Sequence, residues 1–203
     1  MRGLNLIVPT LFAVTCCIMV GSTESEGHQL HTEPQLPDSV QRVAALLAAM
    51  QHDHAIVMLP ESGKTSAEAA SSLGCDVAEI AKSIVFRRLA DGVAVMIVAS
   101  GADRVDEAKV AALVGPIGKA NARFVKEKIG YAIGGVCPIG HVTPSVILID
   151  RKLFNYAHVW AAAGHPHAVF KLTPAQLQAM TGAPTVDASL TPGPGNTPGS
   201  DHH

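Results

Sequence analysis

The segment AIGGVCPIGH, residues 132–141, combines the groups of this chain with the most evident reactivity. Two adjacent glycines, Gly134 and Gly135, precede Cys137, and His141 follows it four residues later. A thiol near an imidazole suits a nucleophile activated by a base. The same two side chains suit a metal site, and the glycines suit a backbone loop that holds a ligand. The local sequence leaves these three alternatives open.

A metal site here would need more donors than the segment contains. Zinc would have to collect Cys137, His141, His165 and His167, whereas structural zinc favours close pairs such as Cys-x-x-Cys. Cys75, the other cysteine in the body of the chain, provides no such pair. We therefore predict no bound metal and no other cofactor.

Lys82 is the second group with chemical potential. It begins the strand pattern KSIVFRRL, in which Ile84 and Phe86 share its face by alternation. A lysine on the face of core residues could lie at the edge of a pocket, where it would bind a phosphate or polarise a carbonyl. The alternative is a surface lysine whose alkyl chain covers apolar surface.

The body of the chain alternates helical and strand patterns. Apolar spacing and capping signals predict helices at residues 39–51, 65–74, 104–115, 120–130 and 173–182. Apolar runs predict strands at residues 55–59, 82–89, 93–100 and 145–150, and a pair within 158–172. Hairpin-linked strands are antiparallel, whereas helical crossovers permit parallel neighbours. We predict a single α+β domain with a mixed, mostly antiparallel sheet flanked by helices.

Both ends of the chain differ from this body. Residues 1–36 contain an apolar run that is signal-like, and it could be a secretory signal, a weak anchor or an extension foreign to the working protein. Residues 185–203 are rich in Pro, Gly, Ser and Thr, which predicts a disordered tail. The folded domain is therefore expected at residues 37–184.

Charge excludes one class of partner. A formal net charge of -2 rules out a strongly basic protein that coats nucleic acid, and we predict no DNA binding. Local basic groups remain, and they could contact a few phosphates or form a solvated face. They are Lys119, Arg123, Lys126 and Lys128 in one group, and Lys64, Lys82, Arg87 and Arg88 in another.

Four segments carry a resemblance to a known family. They are KTSAEAASSLGCDVAEIAKSIVF (64–86), SGADRVDEAKVAALVG (100–115), AIGGVCPIGH (132–141) and AAGHPHAVFKLTPAQLQAMTG (162–182). In this order they resemble the YbaK/EbsC family, the aminoacyl-tRNA editing domain related to the inserted domain of bacterial prolyl-tRNA synthetases. Each segment alone is a weak signal, whereas four in order across nearly the whole body are specific.

This resemblance implies a free-standing deacylase that hydrolyses the ester between a wrong amino acid and the end of a tRNA. It gives Lys82 the central role and implies that His141, His165 and His167 border the pocket. Relatives commonly have another small residue in place of Cys137, which argues against a catalytic thiol. The loop that would hold the aminoacyl group consists of Gly134, Gly135, Val136, Cys137, Pro138, Ile139 and Gly140.

The chemistry of ester hydrolysis agrees with a loop of this kind. Amide groups in a glycine-rich turn can stabilise the charge that develops on the carbonyl oxygen. We therefore predict that Gly134 and Gly135 cradle the ester while Lys82 assists attack by water. The small and apolar loop side chains Val136 and Ile139 favour a small amino acid.

The predicted partner is the acceptor end of a misacylated tRNA, with an aminoacyl-tRNA synthetase as a second candidate and no obligate protein partner. Because tRNA is cytosolic, we predict a cytoplasmic protein, although the apolar run at the amino terminus leaves secretion or anchoring open. The alternative function is a non-catalytic module that binds tRNA ends or a small molecule and is exported or membrane-anchored.

Overall fold

The computed structural model of the protein describes residues 36–60 and 65–190. Their helices are α1 Asp38–Ala49, α2 Ser66–Leu73, α3 Glu107–Val114, α4 Ala122–Lys128 and α5 Pro174–Thr181. Their strands are β1 Ile56–Met58, β2 Ile80–Arg88, β3 Ala94–Ser100, β4 Ile117–Lys119, β5 Val146–Asp150, β6 Val159–Ala162, β7 Ala168–Leu172 and β8 Thr185–Val186. Short 3-10 helices cover Val77–Glu79 and Arg151–Asn155.

These strands form one mixed sheet. Its order is β1-β7-β6-β2-β3-β5-β8, and β4 adds to β2. The pairs β1/β7, β2/β3, β2/β4 and β6/β7 are antiparallel. The pairs β2/β6, β3/β5 and β5/β8 are parallel. This arrangement confirms the predicted mixed, mostly antiparallel sheet.

The central strand β3 shows how helices come to cover both faces of the sheet. All of its residues are buried. Met96 and Val98 belong to a core cluster that includes side chains of α1, α4 and α5. Val95 and Ile97 point to the opposite face, where they join a cluster with Val110 of α3. A strand buried on both faces reads as a continuous apolar run, which is why its alternation is invisible in the sequence.

Local capping explains why two of the predicted helices begin where they do. Thr65 and Glu68 form a capping box at α2, and Thr173 and Gln176 form one at α5. Both helices end at a glycine with a left-handed backbone, φ +65° and +63°. The β2/β3 hairpin and the β6/β7 pair are also confirmed.

The predicted boundary of the tail is wrong for residues 185–190. Here β8 pairs with β5, and the backbone amide of Ala188 and the hydroxyl of Ser189 each donate to the Asp150 carboxylate at 2.9 Å. Asp150 is fully buried, so these donors satisfy a group that would otherwise be costly to bury. Composition predicted disorder because it registers apolar content and misses a few specific hydrogen bonds. The rest of the tail and residues 1–35 of the predicted extension lie outside the described residues.

Among the described residues, no helix is long and apolar enough to cross a membrane.

Candidate functional site

A cavity of about 160 Å³ lies at the edge of β2, and we call it the edge cavity. The start of α2, the glycine loop and the turn between β6 and β7 surround it. Its lining includes Thr65, Lys82, Ser83, Gly134, Trp160 and Pro166. The structure therefore brings together the lysine and the first glycine of the loop, which lie far apart in the sequence.

The cavity exists because β2 changes partners along its length. β6 pairs with β2 only at Ile80 and Ala81, and β4 pairs with it only from Phe86 to Arg88. Residues 82–85 thus have no strand neighbour on this side among the described residues. The edge cavity occupies the gap, and one side of it is this unpaired edge of β2.

Lys82 is half-buried beside this gap. Its ammonium group donates to the backbone carbonyl oxygen of Gly101, at 3.2 Å, and to that of Asp103. A lysine ammonium carries three N–H donors. The two carbonyl groups hold the side chain in place and leave the third donor for a ligand.

Partial burial also changes the acidity of this group. It lowers the pKa of Lys82 below the ordinary lysine value, while the negative charge of Asp103 opposes the shift and Arg104 adds to it. A cation that has lost part of its hydration interacts more strongly with a developing negative charge than a fully hydrated one does.

The two glycines of the loop meet different restraints. A Cβ at Gly135 would lie 2.5 Å from the backbone carbon of His165, so this position accepts no side chain. Gly134 has φ +88°, and a Cβ there would meet Pro166 at an ordinary 3.6 Å. The loop thus packs directly against the GHPH turn, and glycine is required for close approach at one position and for backbone conformation at the other.

The backbone amides of the loop are not equally available. The Gly135 amide donates to the carbonyl oxygen of Ala132 at 3.0 Å, which closes a turn. The Gly134 and Val136 amides have no partner among the described residues. The predicted cradle therefore has Gly134 and Val136 as its available donors, and Gly135 contributes by allowing the turn to pack.

Cys137 is fully buried in the main core. Burial raises the pKa of its thiol to about 12, so the group is protonated at neutral pH. Nucleophilic cysteines react as thiolates in partly exposed, positively charged surroundings. The surroundings of Cys137 are therefore those of a structural core residue.

His141 ties the loop to the start of β5. Its Nε2 lies 2.9 Å from the Cys137 carbonyl oxygen and its Nδ1 lies 2.6 Å from the Ser145 hydroxyl. A carbonyl oxygen only accepts, so Nε2 carries a hydrogen. Burial lowers the pKa of His141, which favours the neutral ring, and in that form Nδ1 accepts from the Ser145 hydroxyl.

The second half of the predicted loop lines a different cavity. Residues 138–141 border a space of about 460 Å³ with Met50 and Met180, and they are absent from the lining of the edge cavity. The Tyr131 hydroxyl donates to the Ile139 carbonyl oxygen at 2.9 Å. The structure thus places Pro138, Ile139, Gly140 and His141 at a cavity that Lys82 does not line.

His165 and His167 lie in the turn against which the glycine loop packs. Their ring centroids are 5.4 Å apart, and the His167 amide contacts His165 Nδ1 at 3.3 Å. Neither histidine lines the edge cavity, whereas Pro166 between them does. In the part of the chain that the structure describes, no three His, Cys, Asp or Glu side chains converge as metal ligands.

Several residues of the edge cavity were not singled out in the sequence. Ser83 and Trp160 line it, as do Thr65 and Ser66 at the start of α2. Ser83 adjoins Lys82 in the chain, and this position is the sequence feature that could have identified it. Trp160 gave no signal, because its contact depends on the parallel pairing of β6 with β2.

Comparison with known proteins identifies the family. Residues 60–180 match the aminoacyl-tRNA editing domain, which is more than half of the chain. This chain belongs to the aminoacyl-tRNA editing domain family. The resemblance inferred from four segments is thereby confirmed.

Solved structures and a curated relative agree with this assignment. A proposed trans-editing enzyme for prolyl tRNA synthetase is 40% identical, with a TM-score of 0.73 over 77% of this chain and 100% of that one. Hypothetical protein APE2540 is 29% identical, with a TM-score of 0.68 over 73% and 99% of the two chains. Uncharacterized protein YwhH of Bacillus subtilis (strain 168) is 29% identical over 140 residues, which is 68% of this chain and 88% of that protein.

The editing domain also has an open groove of about 550 Å³ next to Lys82, which we call the basic groove. Lys82, Arg104, Glu107 and Lys119 contribute its charged side chains. Neither Arg104 nor Lys119 forms an ion pair among the described residues, so both remain available to an anion.

The basic residues that were grouped from the sequence do not all line the basic groove. Lys119 lines the basic groove, whereas Arg123 pairs with Glu127 and Arg88 pairs with Asp91. Arg104 was not among the predicted residues. Lys64 lies outside the described residues.

Proposed function

We propose that this editing domain hydrolyses the ester bond of a misacylated tRNA that carries a small amino acid. The observation that supports it most is the shared cavity of Lys82 and Gly134, at the open edge of β2. A cavity of about 160 Å³ suits a small aminoacyl group and leaves little room for a large one.

In this proposal the enzyme positions and stabilises, and water is the nucleophile. The third N–H donor of Lys82 and the available amide of Gly134 bind the ester carbonyl and stabilise the oxygen as it becomes negative. Aminoacyl esters are activated substrates, so positioning of water supplies much of the remaining acceleration. The protonated, buried thiol of Cys137 has no part in the reaction.

The tRNA end would approach through the basic groove. Arg104 and Lys119 would bind phosphates of the single-stranded acceptor end, while Lys82, which lines both spaces, lies between the phosphates and the ester. Electrostatic contacts of this kind give an affinity that falls as salt rises.

We further propose that the protein acts in the cytoplasm beside an aminoacyl-tRNA synthetase. This part rests on the 40% identical relative, which is described as a proposed trans-editing enzyme for prolyl tRNA synthetase. Cell fractionation with sequencing of the mature amino terminus tests it, and export of a cleaved protein would contradict it.

The activity itself is tested with the full chain and a panel of tRNAs charged with alanine, cysteine, serine, threonine or proline. At least one ester should be released at least about 10-fold faster than in buffer. If every ester decays at its spontaneous rate, the proposed function is wrong. Salt-sensitive binding of a charged tRNA without turnover would then favour the non-catalytic binding module.

A further inference from the structure

Residues 187–190, which we call the C-terminal segment, pair with residues 104–106. The pairing consists of the antiparallel bridge Val105–Ser189 and two backbone hydrogen bonds, from the Asp106 amide to the Ala188 carbonyl oxygen at 2.8 Å and from the Leu190 amide to the Arg104 carbonyl oxygen at 2.9 Å. Backbone N–H and C=O groups need partners when they leave water. Residues 104–106 find such partners in the C-terminal segment, which therefore helps to set the path of their backbone.

The loop held in this way carries two groups of the proposed site. Arg104 lines the basic groove, and the backbone carbonyl oxygen of Asp103 accepts from the Lys82 ammonium group. Leu190, in the C-terminal segment itself, also lines the basic groove. A displacement of this loop would therefore move both a group available to phosphates and a group that holds the lysine.

The inner side of the C-terminal segment is fastened to a buried carboxylate. Asp150 is fully buried, and it accepts from the Ser189 hydroxyl and from the Ala188 amide at 2.9 Å each. Hydrogen bonds to a carboxylate are stronger than those between neutral groups. Ser189 is itself buried, so the loss of its hydroxyl would not be replaced by bulk water.

The outer side of the C-terminal segment is fastened by Lys109 of α3. Its ammonium group donates to the Ser189 carbonyl oxygen at 2.9 Å and pairs with the Asp187 carboxylate at 3.0 Å. Lys109 is absent from the lining of both the edge cavity and the basic groove. Its contacts with the C-terminal segment can thus be altered without changing the lining of either space.

We propose that the C-terminal segment positions the proposed site and that Ser189 is its main positioning residue. It holds the loop so that the Asp103 carbonyl oxygen orients Lys82 and the Arg104 side chain lies in the basic groove. The consequence for deacylation rests on the proposed function, because that function gives both basic residues their roles. Residues that match the editing domain family end at position 180, so that match gives the C-terminal segment no role.

The test compares single-turnover deacylation of the preferred charged tRNA by full-length wild type, Ser189→Ala and the control Thr173→Ala at saturating enzyme. The Thr173 hydroxyl caps α5 by accepting from a backbone amide at 3.1 Å, so the control also loses one side-chain hydrogen bond. Ser189→Ala should lower the rate at least about 5-fold, because a small displacement of an oriented group slows the reaction. Thr173→Ala should leave the rate within about 3-fold.

The salt dependence of tRNA binding separates positioning from a general loss of stability. Ser189→Ala displaces Arg104 without changing the charge of the protein. The slope of log affinity against log salt should therefore fall in magnitude by up to about 0.7, the value of one phosphate contact. In the double variant Ser189→Ala/Arg104→Ala, the slope should fall no further than in Arg104→Ala, because both changes act on one contact. A merely structural role would leave the slope of the folded variant unchanged.

Lys109→Met loosens the C-terminal segment from its outer side and provides the test if Ser189→Ala does not fold. The single-turnover rate should again fall, by about 3-fold or more. Its effect on tRNA affinity should disappear in an Arg104→Ala background. An effect that comes only from the lost charge would instead add to that of Arg104→Ala and would contradict the proposal.

Two results would overturn the proposal. Folded Ser189→Ala and Lys109→Met could keep the wild-type rate and slope, or Thr173→Ala could lose as much rate as they do. Failure of the proposed function is a separate outcome, in which the wild type hydrolyses no ester. The salt slopes and the double variant then decide the positioning role, and additive effects, or no binding of tRNA by the wild type, contradict it.

Discussion

Lys82 donates a hydrogen bond to the backbone carbonyl oxygen of Asp103. The carboxylate of the same aspartate pairs with Lys152 at 2.8 Å, so the loop that positions Lys82 is itself fastened to the segment after β5. The helix cap nearby is a different aspartate, since Asp106 caps α3. One aspartate thus holds the lysine through its backbone and influences its charge through its side chain.

Asp103→Asn should shift the pH dependence of deacylation. The charge of Asp103 raises the pKa of Lys82 against the lowering effect of burial, so its removal lowers that pKa further. If the ammonium form is required, the enzyme-dependent rate falls with rising pH from a lower pH than in the wild type. A pH–rate profile, corrected for hydrolysis in buffer, measures the shift. Asp91→Asn, which alters a distant ion pair, is the control, and coincident profiles would contradict the role given to Asp103.

Cys137→Ala should leave catalysis intact and lower stability. The thiol is buried and protonated, so kcat/KM should stay within about 3-fold of wild type. Loss of the sulfur from the core should reduce the free energy of unfolding by about 1 to 2 kcal/mol. Alkylation followed by peptide mapping should modify the partly exposed Cys75 before Cys137. Rapid loss of activity on alkylation of Cys137 would contradict this prediction and support a nucleophilic role for the thiol.

Gly135→Ala should lower the free energy of unfolding more than Gly134→Ala does. The new Cβ at residue 135 meets the His165 backbone at 2.5 Å, and overpacking of this kind costs about 1 to 3 kcal/mol. The new Cβ at residue 134 has room, and its cost is the left-handed φ, about 1 to 2 kcal/mol. Gly182→Ala has the same φ problem with nothing nearby and controls for it. If Gly135→Ala unfolds no more readily than Gly182→Ala, the packing of the loop against the turn is incorrect.

Arg104→Ala and Lys119→Ala should weaken the binding of tRNA in a salt-dependent way. Each removes one contact to phosphate, so the slope of log affinity against log salt should fall in magnitude by about 0.7. KM should rise more than kcat falls, because these contacts act on bound tRNA in the ground state as well as in the transition state. Arg123→Ala is the matched control, since this exposed arginine pairs with Glu127 outside the groove. Equal effects of all three variants would argue against a specific groove.

The sequence predicted local features well and the composition of the site less well. Capping boxes and apolar periodicity located α2, α5 and the β2/β3 hairpin, because those signals lie within a few residues of each other. The resemblance singled out Lys82 and Gly134, which share the edge cavity. It could not show that residues 138–141 border another space, because the side to which a loop residue points depends on distant packing partners such as Met50 and Met180.

Other parts of the site depend on contacts between distant segments. The gap along β2 results from where β6 and β4 stop pairing with it, and neither limit has a local signal. The strand β8 has no local signal either, because the segment that contains it is held by hydrogen bonds to the buried Asp150. Ser83 was visible beside Lys82, but the sequence could not show that its buried hydroxyl has no hydrogen-bond partner among the described residues.

The most direct test of the account is single-turnover deacylation of the preferred charged tRNA by wild type, Lys82→Met and Lys82→Arg. Loss of a donor that stabilises a developing oxyanion costs about 100-fold or more, so Lys82→Met should lose at least that much. Lys82→Arg keeps the charge but places its donors differently, and it should recover only part of the rate. Circular dichroism confirms folding of each variant. If folded Lys82→Met retains the wild-type rate within about 3-fold, Lys82 does not act on the ester and the central claim is wrong.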